Sequence, residues 1–139
     1  MKVKVYFNLH KKLFSVVALE GDMKGKVIEH TNSIDLSMPI FRVQKAGRER
    51  VLRERRKNIH AYVAGYRCKL KSDEEIKKNG NLEWVKATYD PYKYDSFVSV
   101  EGKNRVSHCR YARLSLDKGL RVSDDYVWHT GYNYRFGKN

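Results

Sequence analysis

The stretch IDLSMPIFRVQKAGRERVLRERRKNIHAYVAGYRC, residues 34–68, changes character twice. Ile34 to Val43 reads as a strand. Pro39 within it cannot donate to a ladder, which predicts an edge position or a bend. From Gln44 to Arg56 the composition turns to helix formers: Gln, Lys, Ala, Arg, Glu and Leu. Ile59 to Cys68 then reads as a central strand. The helix has little to bury. Val43, Gly47 and Val51 recur at i, i+4 and i+8, and Leu52 lies on another side, so most of its circumference faces solvent or a charged partner.

Short strands flank this unit. Val3, Val5 and Phe7 alternate with Lys2, Lys4 and Tyr6, the period of a half-buried strand over residues 2–9. Asn8 to Lys12 supply a polar turn, Leu13 to Leu19 a second strand, and Lys26 to Thr31 a third after the glycine loop at Gly21 and Gly25. Beyond the helix, Lys71 to Asn81 reads as a short helix or turn with Ser72 as its N-cap. Leu82 to Tyr89 is a strand and Asp90 to Lys93 a turn. Ser96 to Val100 and Arg105 to Leu116 are strands around a hairpin signal at Glu101–Asn104. Lys118-Gly119 is another turn, and Tyr126 to Phe136 a last strand. The sum is an α+β fold of one domain over residues 1–139. It is a mostly antiparallel, curved sheet or small barrel of about eight short strands with one basic helix (about 44–57).

Charge points to the partner. The chain of 139 residues carries 29 Lys and Arg against 16 Asp and Glu, a net of +13, with a pI near 9.8. Between Arg42 and Lys57 eight cations (Arg42, Lys45, Arg48, Arg50, Arg53, Arg55, Arg56, Lys57) face only Glu49 and Glu54, a local net of +6. A solvated helix face usually mixes signs, and i, i+4 pairs such as Glu49–Arg53 and Arg50–Glu54 contribute only ~0.2–0.5 kcal/mol each. The remaining arginines ask for an anionic polymer, nucleic acid first. Phosphate contacts are assigned to Arg48, Arg50, Arg53, Arg55, Arg56 and Lys57, with Lys11, Lys12, Tyr92, Lys93 and Tyr94 as secondary contacts from two loops. DNA and RNA are equally open.

Ten tyrosines offer stacking surfaces. In the last strand Tyr126, Trp128, Tyr132, Tyr134 and Phe136 share one parity, which fits a core face better than a base platform. Tyr92 and Tyr94, interleaved with Lys93 on a loop, are the better stacking candidates. Five histidines permit a second reading, a metal-independent ribonuclease-like phosphodiesterase with His10 and His60 as acid and base and Glu49, Arg53 and Tyr66 nearby. A third is an inhibitor that sets the same basic face against an acidic host protein complex.

Other classes are disfavoured. Cys68 and Cys109 lie far apart with no ligand spacing around them, so neither a metal site nor a cofactor is expected, and both thiols read as reduced. No apolar run approaches the ~20 residues of a membrane-spanning helix, which predicts a protein that stays where it is made, without a membrane partner.

The segments VYFNLHKKLFSVVALEG (5–21), AGRERVLRERRKNIHAYVAG (46–65) and YDPYKYDSFVSVEG (89–102) resemble a family of small proteins from tailed bacteriophages. The resemblance carries no catalytic residue with it. It implies a setting, the cytoplasm of an infected bacterium or the virion. The leading expectation is a phage-encoded, non-catalytic nucleic-acid-binding protein.

Overall fold

The hydrophobic alternation at the N-terminus sets the pattern of the sheet. Val3 and Val5 on β1 (Lys2–Asn8) face Ala18 and Val16 on β2 (Leu13–Ala18) and Gly65 and Val63 on β5 (Ala61–Cys68), and every one of these residues is buried. A computed structural model describes residues 1–70 and 83–127 of the chain. Within them, β3 (Val27–Thr31) extends the first hairpin, and β4 (Ser33–Val43) pairs with β5. The β4–β5 connection contains the one described helix, α1 (Lys45–Glu54). β6 (Trp84–Thr88), β7 (Val98–Ser99), β8 (Tyr111–Ser115) and β9 (Gly119–Ser123) complete an antiparallel sheet ordered β3-β2-β1-β5-β4-β8-β9-β6-β7.

The architecture is α+β, as the sequence predicts, but the sheet is open, with β3 and β7 at its edges, and is not a closed barrel. Two boundaries differ from expectation. Arg105 to Leu116 is not one strand: only Tyr111–Ser115 runs regularly, while Arg105 and His108 make isolated bridges to Val98 and Ile40. Gly119–Ser123, read as a turn and its sequel, is a strand, turned into register by Gly119 at φ 75°. The helix is shorter than 44–57, ending where Arg55 takes a left-handed conformation. The predicted helix or turn at Lys71–Asn81, and the last strand beyond Val127, lie outside the described residues.

Pro39 resolves as a bend. β4 is central, between β5 and β8, not an edge. Met38 and Pro39 stand opposite the single residue Gly65, a β-bulge that leaves proline outside the ladder. Met38 takes φ 52° and donates its N–H to the Arg110 carbonyl at 2.8 Å. Gly65 suits this tight approach, because a Cβ would stand 3.0 Å from the Ser37 carbonyl oxygen and 3.2 Å from Pro39 Cα.

The helix caps one end of the sheet. β4 ends and β5 begins there, with Val43 opposite Ala61. β1 also ends there, because it runs antiparallel to β5 with Val5 opposite Val63. Gln44 donates its N–H to the His60 carbonyl at 2.7 Å, carrying the ladder one step past the strands. Val51 is the helix's buried residue, and Gly47 lies so close to His60 that a Cβ would come within 2.6 Å of His60 Cβ.

Two substitutions test these contacts. Gly65→Ala should lower stability by ~1–3 kcal/mol through overpacking against the bulge backbone; a thermal midpoint equal to wild type would contradict the bulge geometry. Gly47→Ala is a test of sign. An ordinary exposed helical glycine gains ~1 kcal/mol on becoming alanine, whereas the clash with His60 predicts a net loss, read as a lower denaturant midpoint.

Candidate nucleic-acid interface

Three segments far apart in sequence, two of them basic, meet at the end of the sheet that α1 caps. The first is the turn after β1. Asn8 Oδ1 accepts the N–H groups of His10 and Lys11, each at 3.0 Å, and Lys12 donates its N–H to the Asn8 carbonyl at 2.7 Å. This local hydrogen bonding leaves Leu9, Lys11 and Lys12 exposed. The second is the end of α1 and the run to Ile59. The third is the turn after Tyr89, closed by the Asp90 carbonyl, which accepts from Lys93 and Tyr94, and by Asp90 Oδ1, which accepts the Tyr92 N–H at 2.9 Å.

Arg48 ties the second segment to the third. Its Nε donates to the Pro91 carbonyl at 3.0 Å, and its side chain is half-buried. His60 and Tyr89 form the floor beneath. His60 Nδ1 faces the Asn58 carbonyl at 2.8 Å, an acceptor only, so Nδ1 carries the proton. Nε2 then accepts the Tyr89 hydroxyl at 2.6 Å. Burial pushes the Tyr89 phenol up to about 12, which keeps it the neutral donor this bond needs. Tyr89 packs on Phe97 and Phe97 on Phe41, with ring centroids 5.3 and 5.4 Å apart, so the floor is continuous with the core.

Between the segments lies a pocket of about 360 Å³. Phe7 and Leu9 line it from the first segment, Val51, Lys57 and Ile59 from the second, and Tyr89 to Tyr92 from the third. Four apolar side chains in its wall stay near half-exposed: Phe7 41%, Leu9 46%, Ile59 48% and Tyr92 51%. Cations mark its rim. Lys57 lines it directly, and the Arg55 guanidinium lies 5.8 Å from the centre of the Tyr92 ring. Lys11 and Lys12 share the turn of Leu9, and Lys93 follows Tyr92. Asp90 is the only carboxylate among the described residues of the lining. Arg55 holds φ 57°, a conformation that costs a side-chain-bearing residue roughly 1–2 kcal/mol. A helix C-terminus ordinarily places glycine there, and here the position carries a guanidinium at the pocket mouth.

The predicted contacts therefore divide. Arg55, Arg56, Lys57, Lys11, Lys12, Tyr92 and Lys93 are exposed on or beside the rim. Arg50 and Arg53 are exposed on α1 and share Glu54, at 3.9 and 3.5 Å. Glu49 pairs with no described residue. Arg48 is turned inward onto a backbone carbonyl, and Tyr94 is half-buried. The guanidinium groups beyond Arg48 do not fold back onto the core.

The two candidate histidines differ in setting. His60 is 5% exposed with both ring nitrogens engaged. His10 is exposed in the first turn and does not line the pocket, and Tyr66 lies near the far end of β5, opposite Lys2. His129 and the aromatic face of the last strand lie outside the described residues. Both cysteines are free, Cys109 buried and Cys68 partly so. Among the described residues no three His, Cys, Asp or Glu side chains stand together as metal ligands, and no helix is long and apolar enough to cross a membrane. The sequence reading missed the apolar wall. Its signals were faint: Leu9 alone among polar neighbours, and Ile59 at the end of a charge run.

The model of the family described as the Mycobacterium phage L5 gene 82 protein matches residues 1–122 of this chain. The gene 82 protein of Mycobacterium phage L5 is 38% identical to it over 129 residues, covering 88% of this chain and 96% of that protein. No solved structure matches. Together these matches bear out the resemblance to a phage protein family: the chain belongs to the family of the Mycobacterium phage L5 gene 82 protein.

Proposed function

We propose that this phage protein binds nucleic acid through its phosphates, in the infected bacterial cytoplasm, and performs no chemistry on it. The observation that carries the reading is the meeting of two basic segments, with Lys93 of a third, around one mouth. Like charges gathered this closely repel, and a polyanion relieves that repulsion while releasing its own counterions. Arg55, Arg56 and Lys57 stand at the centre, Lys11, Lys12 and Lys93 at the sides, and Arg50 and Arg53 extend the surface along α1. Arg48 acts as the brace that holds the Asp90–Tyr94 turn against the helix.

A second reading has one observation in its favour. The half-exposed wall of Phe7, Leu9, Ile59 and Tyr92 also suits a host protein with an acidic surface. A partner retained from host lysate after nuclease treatment would favour that reading.

Affinity for DNA or RNA should fall steeply with salt, with a log–log slope of about −0.7 to −0.9 per phosphate contact. The double reversal Arg53→Glu, Arg56→Glu should weaken binding to unrelated sequences alike, because phosphate contacts carry no sequence information. A flat salt response, or a loss confined to one sequence, would contradict the assignment.

A further inference from the structure

We propose that the pocket beneath the basic rim receives an unpaired base of a single strand, so that the protein selects single-stranded over duplex nucleic acid. This rests on the phosphate-binding reading and adds the class of substrate to it. The site has two chemistries in one place. Its mouth is cationic, with Arg55, Lys57 and the lysines beside Leu9 and Tyr92. Its wall is apolar and partly aromatic, with Phe7, Leu9, Ile59 and Tyr92 all near half-exposed. A nucleotide has the same two parts: an anionic phosphate and a flat heterocycle that gains from leaving water. A paired base cannot supply the second part without leaving its stack, whereas single strands offer it freely.

Size narrows the occupant further. About 360 Å³ is at the small end of ligand pockets, which run ~300–1,000 Å³. It has room for a ring system and not for an amphipathic helix. Tyr92 remains 51% exposed although the Arg55 guanidinium lies 5.8 Å from its ring centre, so stacking area is left for a base. Asp90, the one carboxylate among the described lining residues, offsets one cation, and Arg55 over the Tyr92 ring together with Lys57 and the neighbouring Lys11, Lys12 and Lys93 leaves the mouth net positive.

The test is a set of anisotropy titrations of the full chain at one fixed low salt concentration. The probes are labelled strands of about 12 nucleotides, within the site sizes of single-strand binders. They comprise DNA and RNA single strands, strands of the same length with abasic sites throughout, and blunt duplexes. A natural single strand should bind at least about fivefold tighter than its abasic counterpart and tighter than the duplex, as one stacked base contributes. The DNA and RNA arms show which backbone the rim prefers. Ile59→Ala, at a half-exposed position, should shrink the gap between natural and abasic strands. Equal affinity for natural and abasic strands, with a steep salt slope, would overturn the base pocket while leaving phosphate binding standing; the pocket would then suit an apolar side chain of a protein partner. A gap that persists undiminished in Ile59→Ala would place the base elsewhere and also overturn it. Failure of every strand to bind, or a flat salt response, would remove the phosphate reading and this inference together.

Discussion

The close approach of Gly47 to His60 fixes what α1 can present. With no Cβ at position 47, the helix lies against His60, the residue just before β5. His60 is held in turn by Asn58 and Tyr89, and Tyr89 by the aromatic core. Helix position and core packing are therefore one constraint. Because the helix buries only Val51, its docking depends on these few polar and close-packed contacts more than on hydrophobic area.

From that docking the electrostatics follow. A helix seated on Gly47 and Val51 turns Arg48 toward the Asp90–Tyr94 turn and leaves Arg50 and Arg53 outside. The left-handed Arg55 ends the helix and sends Lys57 and Ile59 across the pocket mouth. Positive charge is thus concentrated over an apolar depression, where the low dielectric of the wall strengthens attraction for an anion and solvent screens the cations of the outer face. Glu54 offsets part of the charge of Arg50 and Arg53, but it is exposed, and surface pairs of that kind contribute little.

Much of this was legible in the sequence, for physical reasons that differ by element. β1 was readable because Val3, Val5 and Phe7 obey the two-residue period of a strand with one wet face. The helix was readable from composition and its exposure from its thin stripe. The bend at Pro39 was legible as one of two outcomes, but the sequence could not say that Gly65 would stand opposite it. β9 was missed because its alternation, Leu120 and Val122 about Arg121, spans only three residues and follows directly on the turn signal Lys118-Gly119. The pocket was invisible because its walls come from three segments that only sheet order brings together, β1 lying beside β5 as well as beside its sequence neighbour β2. Arg48 and Arg50 are chemically the same letter. What separates brace from contact is the side of the helix that meets the Asp90–Tyr94 turn, and that depends on tertiary packing.

The central claim is that residues 9–12, 55–59 and 90–93 act as one surface. An amide chemical-shift titration of the isotopically labelled protein with a short single-stranded oligonucleotide tests it directly. The account predicts that signals from all three segments move together and saturate on one binding curve. Shifts confined to a single segment, or centred on another part of the sheet, would contradict it.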